Sequence, residues 1–360
     1  MREPRVLTAA EAILEAQDQA LAADPAVFLM GEGAADPKGI FGTTAGLVDK
    51  YGPARVMEMP VSENGFTGIA VGAALMGRRP VVIHQRVEFC LLAMEQLFGN
   101  AAKAHYVSDG RHRAPLVVRL VAGRGWGQGP QHGQVLENLF ALVPGLKLVL
   151  PAGPADAKGM LLAAIADDNP VIFLEHRWVH YVSGEVPEAP LPAPLDGPRR
   201  ILAGGDVTVV AASYMTLETR HAAAALAAEG VAVDLFDLRV ARPLVTDAIQ
   251  ESVRRTGRLL VVDTGWKTFG LGAEIVARVT ESCFADMAAP PRRVGLPDHP
   301  TPSSRALAEA YYPRAEHVAG AIGALVGLPD ARVAAVHATL AAERRQVPLD
   351  IPHPSFKGPF

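Results

Sequence analysis

Glu63, Gln85, Phe89 and His132 are the residues of this 360-residue chain whose types and positions could do chemistry. Glu63 follows Ser62, a good helix N-cap, where the extended stretch 55–60 gives way to a helical pattern. Small and apolar residues come next, and helical spacing places Phe66, Ile69, Ala70, Ala73 and Ala74 on one face. The glycines and alanines between them let a backbone pack close. Free N–H groups and the helix dipole stabilise a carboxylate in a first turn, which is a purely structural use. The other use is to present one acid from a nearly uncharged helix. Gln85 and Phe89 fall just past the strand predicted over 80–84. A ring there offers a planar ligand a flat apolar wall, or simply packs in the core. His132 follows a run with glycines at 123, 125, 127 and 129, and another stands at 133. A histidine can move a proton or donate to a developing oxyanion near neutral pH; a loop histidine can also just face solvent. The glycines suggest close backbone approach to a ligand or partner. No lysine–serine pair follows them, so they are not a phosphate-binding loop.

The elements that must position these groups follow from pattern and composition. Hydrophobic residues make up 49% and charged residues 20%, which is the balance of a soluble globular chain long enough for two domains. A net charge of −4 argues against a nucleic-acid partner held by phosphate contacts. Cys90 and Cys283 lie far apart in apolar settings, so buried thiols are expected rather than a disulfide, and no zinc spacing occurs. No apolar run approaches bilayer length, and Met1-Arg2-Glu3-Pro4 lacks the apolar core of a secretory signal; a cytoplasmic protein without membrane contact is expected.

A capping box, Thr8-Ala9-Ala10-Glu11, opens a helix reaching residue 23. Strands are predicted over 27–30, 54–59, 80–84, 115–120, 146–150 and 171–175, with helices from 62 to a stop at Gly77, over 90–106 and over 155–166. The glycine-rich stretch 34–46 reads as a loop over a site or interface. Strands alternating with helices at this spacing indicate a largely parallel sheet. Prolines and polar residues over 184–198 mark a domain boundary. Alternation then resumes through strands 207–212, 231–236 and 259–263 and helices 217–228, 246–255, 273–282 and 314–325. A helical segment over 331–345 leads to a proline-rich tail. The fold class is α/β, in two domains, each a mostly parallel sheet with helices on both faces.

The run from Ser62-Glu63 through Gly65-Phe66-Thr67-Gly68-Ile69-Ala70-Val71-Gly72-Ala73-Ala74 resembles the β subunit of thiamine-diphosphate-dependent 2-oxo acid dehydrogenases, in the transketolase-like superfamily. Asn100-Ala101-Ala102-Lys103, Pro144-Gly145-Leu146-Lys147, Asp156-Ala157-Lys158-Gly159, Asp237-Leu238-Arg239, Arg242-Pro243 and Thr256-Gly257-Arg258 match the family in order and spacing up to about residue 326. The resemblance implies a pyrimidine-binding domain over 1–187, a transketolase C-terminal domain over 198–326 and an extra segment over 327–360 whose phenylalanine-bearing tail docks on something. It implies that Glu63 bonds a ring nitrogen of the aminopyrimidine, promoting the imino form that generates the reactive carbanion. Val61, Gln85 and Phe89 match positions lining the pyrimidine pocket. His132 matches the histidine that contacts the 2-oxo acid or its adduct and helps acyl transfer to a lipoyl group.

Departures from the family pattern stand at Arg86, Glu88, His84 and Trp126. Arg86 suits a carboxylate or phosphate of a larger acceptor, or a salt bridge with Glu88 or another partner; Trp126 is the other substrate candidate. The family's Gly-Asp-Gly motif and downstream asparagine, which bind diphosphate through magnesium, have no match: Asp196-Gly197 and Gly204-Gly205-Asp206 lack the pattern. No metal site is therefore expected on this chain. Mg2+ is expected on an α subunit, in an α2β2 assembly with a second β subunit, and a lipoyl-bearing acyltransferase is a further expected partner. Two other functions stay open: a carboligase passing the carbanion to an aldehyde, and a noncatalytic assembly subunit.

Overall fold

The structure, a computed structural model, describes residues 5–123 and 128–344. Its elements in order are β1 (Val6–Thr8), α1 (Ala9–Ala23), β2 (Val27–Gly31), α2 (Leu47–Tyr51), β3 (Val56–Glu58), α3 (Glu63–Leu75) and β4 (Arg79–His84). Then come α4 (Ala104–Val107), β5 (Val117–Ala122), α5 (Gly129–His132), α6 (Glu137–Ala141), β6 (Lys147–Val149), α7 (Pro154–Ala166), β7 (Val171–His176) and β8 (Ser183–Glu185). The remainder holds β9 (Arg199–Leu202), β10 (Val207–Ala211), α8 (Tyr214–Ala227), β11 (Val233–Asp237), β12 (Val240–Arg242), α9 (Asp247–Thr256), β13 (Leu259–Trp266) and α10 (Leu271–Cys283). It ends with β14 (Arg292–Leu296), α11 (Arg305–Tyr311), α12 (Ala315–Val326) and α13 (Asp330–Arg344).

The chain divides into two compact units. The first takes residues up to 123 together with 139–195; the second takes the segment before Leu139 together with the chain from Asp196 onward. Hydrogen bonds tie the segment before Leu139 to the rest of the second unit. Thr301 Oγ1 donates to the Gly133 carbonyl at 3.4 Å, and the Asn138 amide donates to the Phe269 carbonyl at 3.1 Å.

In the first unit the parallel strands lie in the order β6-β7-β5-β4-β2-β3, and β1 and β8 form a separate antiparallel ribbon. Strands β2, β5 and β7 are buried along their whole length. A parallel sheet covered on both faces needs such near-continuous apolar strands. The second unit orders its strands β14-β13-β10-β11-β9, parallel except for β9 against β11. The predicted capping box at Thr8 and Glu11 is present at the start of α1.

Three local expectations change. Ser62 occupies the N-cap position of α3, but its side chain makes no capping hydrogen bond. Ile69 does not share the buried face, which is Glu63, Phe66, Thr67, Ala70, Val71 and Ala74. The helix expected over 90–106 is instead a 3-10 turn (Phe89–Ala93), a π turn (Glu95–Asn100), a second 3-10 turn (Ala101–Lys103) and α4. Apolar spacing does not distinguish these windings. A side-chain bridge fastens the π turn: Gln96 donates to Asn64 of α3 at 3.0 Å and accepts from Asn100 at 3.1 Å.

Candidate active site at the carboxyl ends of the first sheet

Strand register sets which residues emerge together. Gly31 pairs with Ile83, His84 with Leu120, and Ala122 with His176. Glu32, Gln85, Gly123 and Arg177 therefore leave the sheet side by side at its carboxyl edge, where ligands bind in open parallel sheets.

The acid side is built on α3. Glu63 is buried in the first turn. The helix is pinned to β4 by a 3.2 Å hydrogen bond between Thr67 Oγ1 and His84 Nε2, and the Phe66 and His84 rings sit 5.1 Å apart. Burial pushes the His84 pKa down to about 3, so this imidazole is a neutral packing and bonding group. Beside it, Glu58 accepts from the backbone N–H of Gly33 at 2.6 Å and of Ala35 at 2.9 Å, fixing the turn after β2. Glu32 lies in that turn. Burial raises its carboxyl above the usual range, and the charges of Glu63 and Glu58 push the same way. Its Oε1 is buried without a hydrogen-bond partner. Gln85 donates to the Glu32 carbonyl at 2.9 Å. Glu32 thus feels the charge of Glu63 through its carboxyl and holds Gln85 through its backbone carbonyl. Glu32 was not singled out from sequence; its signal is a glutamate between two glycines at a strand end.

This geometry fits an aminopyrimidine. A buried first-turn acid can bond a ring nitrogen, and an unpaired buried oxygen nearby is a polar group awaiting a partner. Phe89 is half-buried at the start of the 3-10 turn after β4. Val61, just before α3, is 82% exposed on this chain.

Arg86 is buried, at 4% exposure, and its guanidinium donates from Nη1 to the Gly123 carbonyl at 3.2 Å. It lies 5.2 Å from the centre of the Phe41 ring, and the Arg177 guanidinium lies 4.2 Å from the same ring. Burial and then the charge of Arg177, opposed by Glu88, lower the Arg86 pKa to about 10. Glu88 thus acts on Arg86 through its field, and the expected Arg86–Glu88 salt bridge is not formed. Gly123 adopts φ +79°, and a β-carbon there would lie 2.3 Å from His176 Nε2, so only glycine fits between β5 and β7 at this point.

His132 ends the short helix α5 and is half-buried. It belongs to the second unit, whereas Glu63, Gln85, Arg86 and Phe89 belong to the first. Its segment is held by Gly133, where a β-carbon would lie 2.6 Å from Thr301 Cγ2. Trp126 lies outside the described residues. Among the described residues no group of three or more His, Cys, Asp or Glu could hold a metal ion, and no helix is long and apolar enough to cross a membrane. Cys90 and Cys283 are both buried free thiols.

One further acidic pair went unread in the sequence. Glu137 is fully buried and neither carboxyl oxygen has a hydrogen-bond partner. Burial raises its pKa well above the usual range, and Asp263 raises it further. Burial also raises Asp263, opposed by backbone N–H groups that include Gly265 at 3.4 Å and Gly272 at 3.3 Å. Both carboxyls are thereby pushed toward the protonated form.

Comparison with known proteins also gives two domains, with the first match running unbroken through the segment before Leu139. Residues 5–179 match the transketolase pyrimidine-binding domain, and residues 199–318 match the transketolase C-terminal domain. The chain is 39% identical over 316 residues to the mitochondrial pyruvate dehydrogenase E1 component subunit beta-1 of Oryza sativa subsp. japonica, covering 87% of this chain and 84% of that one. It is 38% identical over 327 residues to the acetoin:2,6-dichlorophenolindophenol oxidoreductase subunit beta of Cupriavidus necator, covering 88% of this chain and 96% of that one. A solved structure described as a split gene transketolase, inactive beta4 tetramer, shares the fold with a TM-score of 0.70 at 22% identity, covering 89% of this chain and 99% of that one. The buried acid at the start of α3 therefore stands in a known frame: the chain belongs to the thiamine-diphosphate-dependent 2-oxo acid dehydrogenase β-subunit family, built from transketolase-type pyrimidine-binding and C-terminal domains.

Proposed function

We propose that this chain supplies the acid side of a thiamine diphosphate site and, with an α subunit, decarboxylates a 2-oxo acid and passes the acyl unit to a lipoyl group. The single observation behind this is Glu63, buried in the first turn of α3 beside Glu32 and within a frame closed by Gln85. When bound, the cofactor supplies the electron sink for decarboxylation. The chain's own residues place and hold protons. Glu63 bonds the pyrimidine nitrogen. His84 and Thr67 keep α3 at the distance from β4 that this bond needs. Phe89 and Gln85 wall the ring, and Val61 completes the wall. His132 serves the substrate side as donor to the acyl group.

Diphosphate and Mg2+ belong to the α subunit, in an α2β2 assembly placed in the cytoplasm. Both relatives are named as beta subunits, which supports an obligate partner. So does the outer face of α3, where Ile69, between exposed Gly65 and Gly72, is 60% exposed and Met76 at the helix end is 83% exposed. Exposed apolar surface of this kind marks an interface. The buried Arg86 favours a second reading, a carboligase with an anionic acceptor.

Glu63→Gln tests the assignment. The variant should fold, and in the reconstituted α2β2 complex it should lose at least about a hundredfold in proton exchange at the thiazolium carbon, the usual size of a lost general acid–base group. Exchange at the wild-type rate would remove Glu63 from the site. Turnover by the purified chain alone with cofactor and Mg2+ would remove the α subunit.

A further inference from the structure

We infer that Arg86 and Arg177, set astride the Phe41 ring, form a receptor for an anionic oxyacid group, carboxylate or phosphate, carried by the substrate or acceptor. This deepens the proposed function by naming the substrate class, and rests on that reading only for which molecule brings the anion.

The geometry comes first. Arg86 leaves β4 and Arg177 leaves β7 at the same carboxyl edge of the sheet. Their guanidinium carbons lie 5.2 and 4.2 Å from one ring centre, so two like charges sit on a single aromatic side chain. Cation–π attraction offsets part of their repulsion. Phe41 holds a left-handed backbone, φ 52°, which is strained for a bulky residue and persists only where surrounding structure imposes it. Phe41 is itself half-buried, while Arg86 and Arg177 are 4% and 2% exposed.

The charge count comes next. Glu175, a buried carboxylate of β7, is committed to Arg119 and His180. Arg177 donates to the Tyr181 hydroxyl at 2.8 Å and lies over its ring. Arg86 Nη2 is buried with no hydrogen-bond partner. Glu88 draws on Arg86 electrostatically without a hydrogen bond to it. A buried guanidinium with a vacant donor costs free energy that an incoming oxyanion would recover, since charge-assisted forks to carboxylate and phosphate are the strongest pairing for this group.

The test needs no partner, cofactor or turnover. Malonate, inorganic phosphate and chloride are titrated into the full-length chain at constant ionic strength, with binding read by calorimetry and by thermal shift. Saturable binding of malonate or phosphate is expected, at least tenfold weaker in Arg86→Met and intermediate in Arg86→Lys, which keeps charge but loses the fork. Tighter malonate than phosphate identifies a 2-oxo dicarboxylic acid as the substrate class, and the reverse order a phosphorylated one. Absence of saturable binding, an equal response to chloride, or unchanged affinity in a folded Arg86→Met overturns the inference. Anion binding through Arg86 in a complex that decarboxylates no 2-oxo acid would sink the functional reading and leave this receptor standing.

Discussion

Two buried arginines of the first unit, Arg119 and Arg86, face opposite fates. Arg119 is 0% exposed and every arm is satisfied: Nε and Nη2 grip Glu175 at 2.5 and 2.8 Å, Nη1 donates to Gln17 at 2.7 Å, and Nη2 also donates to Thr43 at 2.9 Å. His180 completes the Glu175 carboxylate at 2.9 Å. Arg86, only slightly less buried, has one carbonyl, one ring and a second cation. A complete donor set makes a buried charge part of the scaffold; an incomplete one leaves it poised for something that arrives later.

The comparison breaks first at Arg119. Arg119→Met would strand Glu175 in the core and should cost about 3–5 kcal/mol, measured by urea unfolding. A loss below about 1 kcal/mol would mean that the closed network is not structural.

The second test is pH. Burial alone would raise the Glu175 carboxyl, but Arg119 and His180 outweigh it and hold the pKa at about 2. The unfolded chain titrates near the ordinary glutamate value, about 4.3. The unfolded state therefore binds the proton first, and stability present above that value is lost as pH falls toward 2. Roughly 3 kcal/mol should disappear across this window and be absent from the pH profile of Glu175→Gln. A wild-type profile flat over the same interval would refute the assignment.

Removing the incomplete cation should behave differently. Arg86→Met deletes a charge that forms no ion pair among the described residues, so stability should change by less than about 1 kcal/mol, or rise. A loss as large as that of Arg119→Met would place Arg86 in the scaffold.

The smallest effect concerns the acidic counterpart in the second unit. Glu137 is raised by burial and then by Asp263, so the folded state keeps a proton that the unfolded chain releases. Stability therefore falls as pH rises above the unfolded value. Glu137→Gln should melt higher than wild type at pH 8, with the gain fading toward pH 5. An equal melting temperature at both pH values would show that the pair bears no proton.

Much of the frame was legible in the chain itself. Buried parallel strands read as apolar runs because both faces are covered, and β2, β5 and β7 fall where those runs stand. The start of α3 was legible because helix starts carry a local signature, although the expected Ser62 cap bond is absent; Glu63 stood out as a site acid only through the family resemblance. The winding of 89–107 was not, since 3-10, π and α turns all accept the same apolar spacing, and the Gln96–Asn64 bridge that accompanies the π turn spans two elements.

The sequence by itself determined the α/β alternation, the two domain families and the acid at the head of α3, because each depends on neighbours along the chain. Tertiary structure alone decided which charges are satisfied. Glu32 beside Glu63, Arg177 sharing a ring with Arg86, and Glu137 against Asp263 are residues far apart in sequence. Whether a charge is part of the frame or waits for a ligand depends on its through-space partners and on how much water is left around it. Strand register and packing set both.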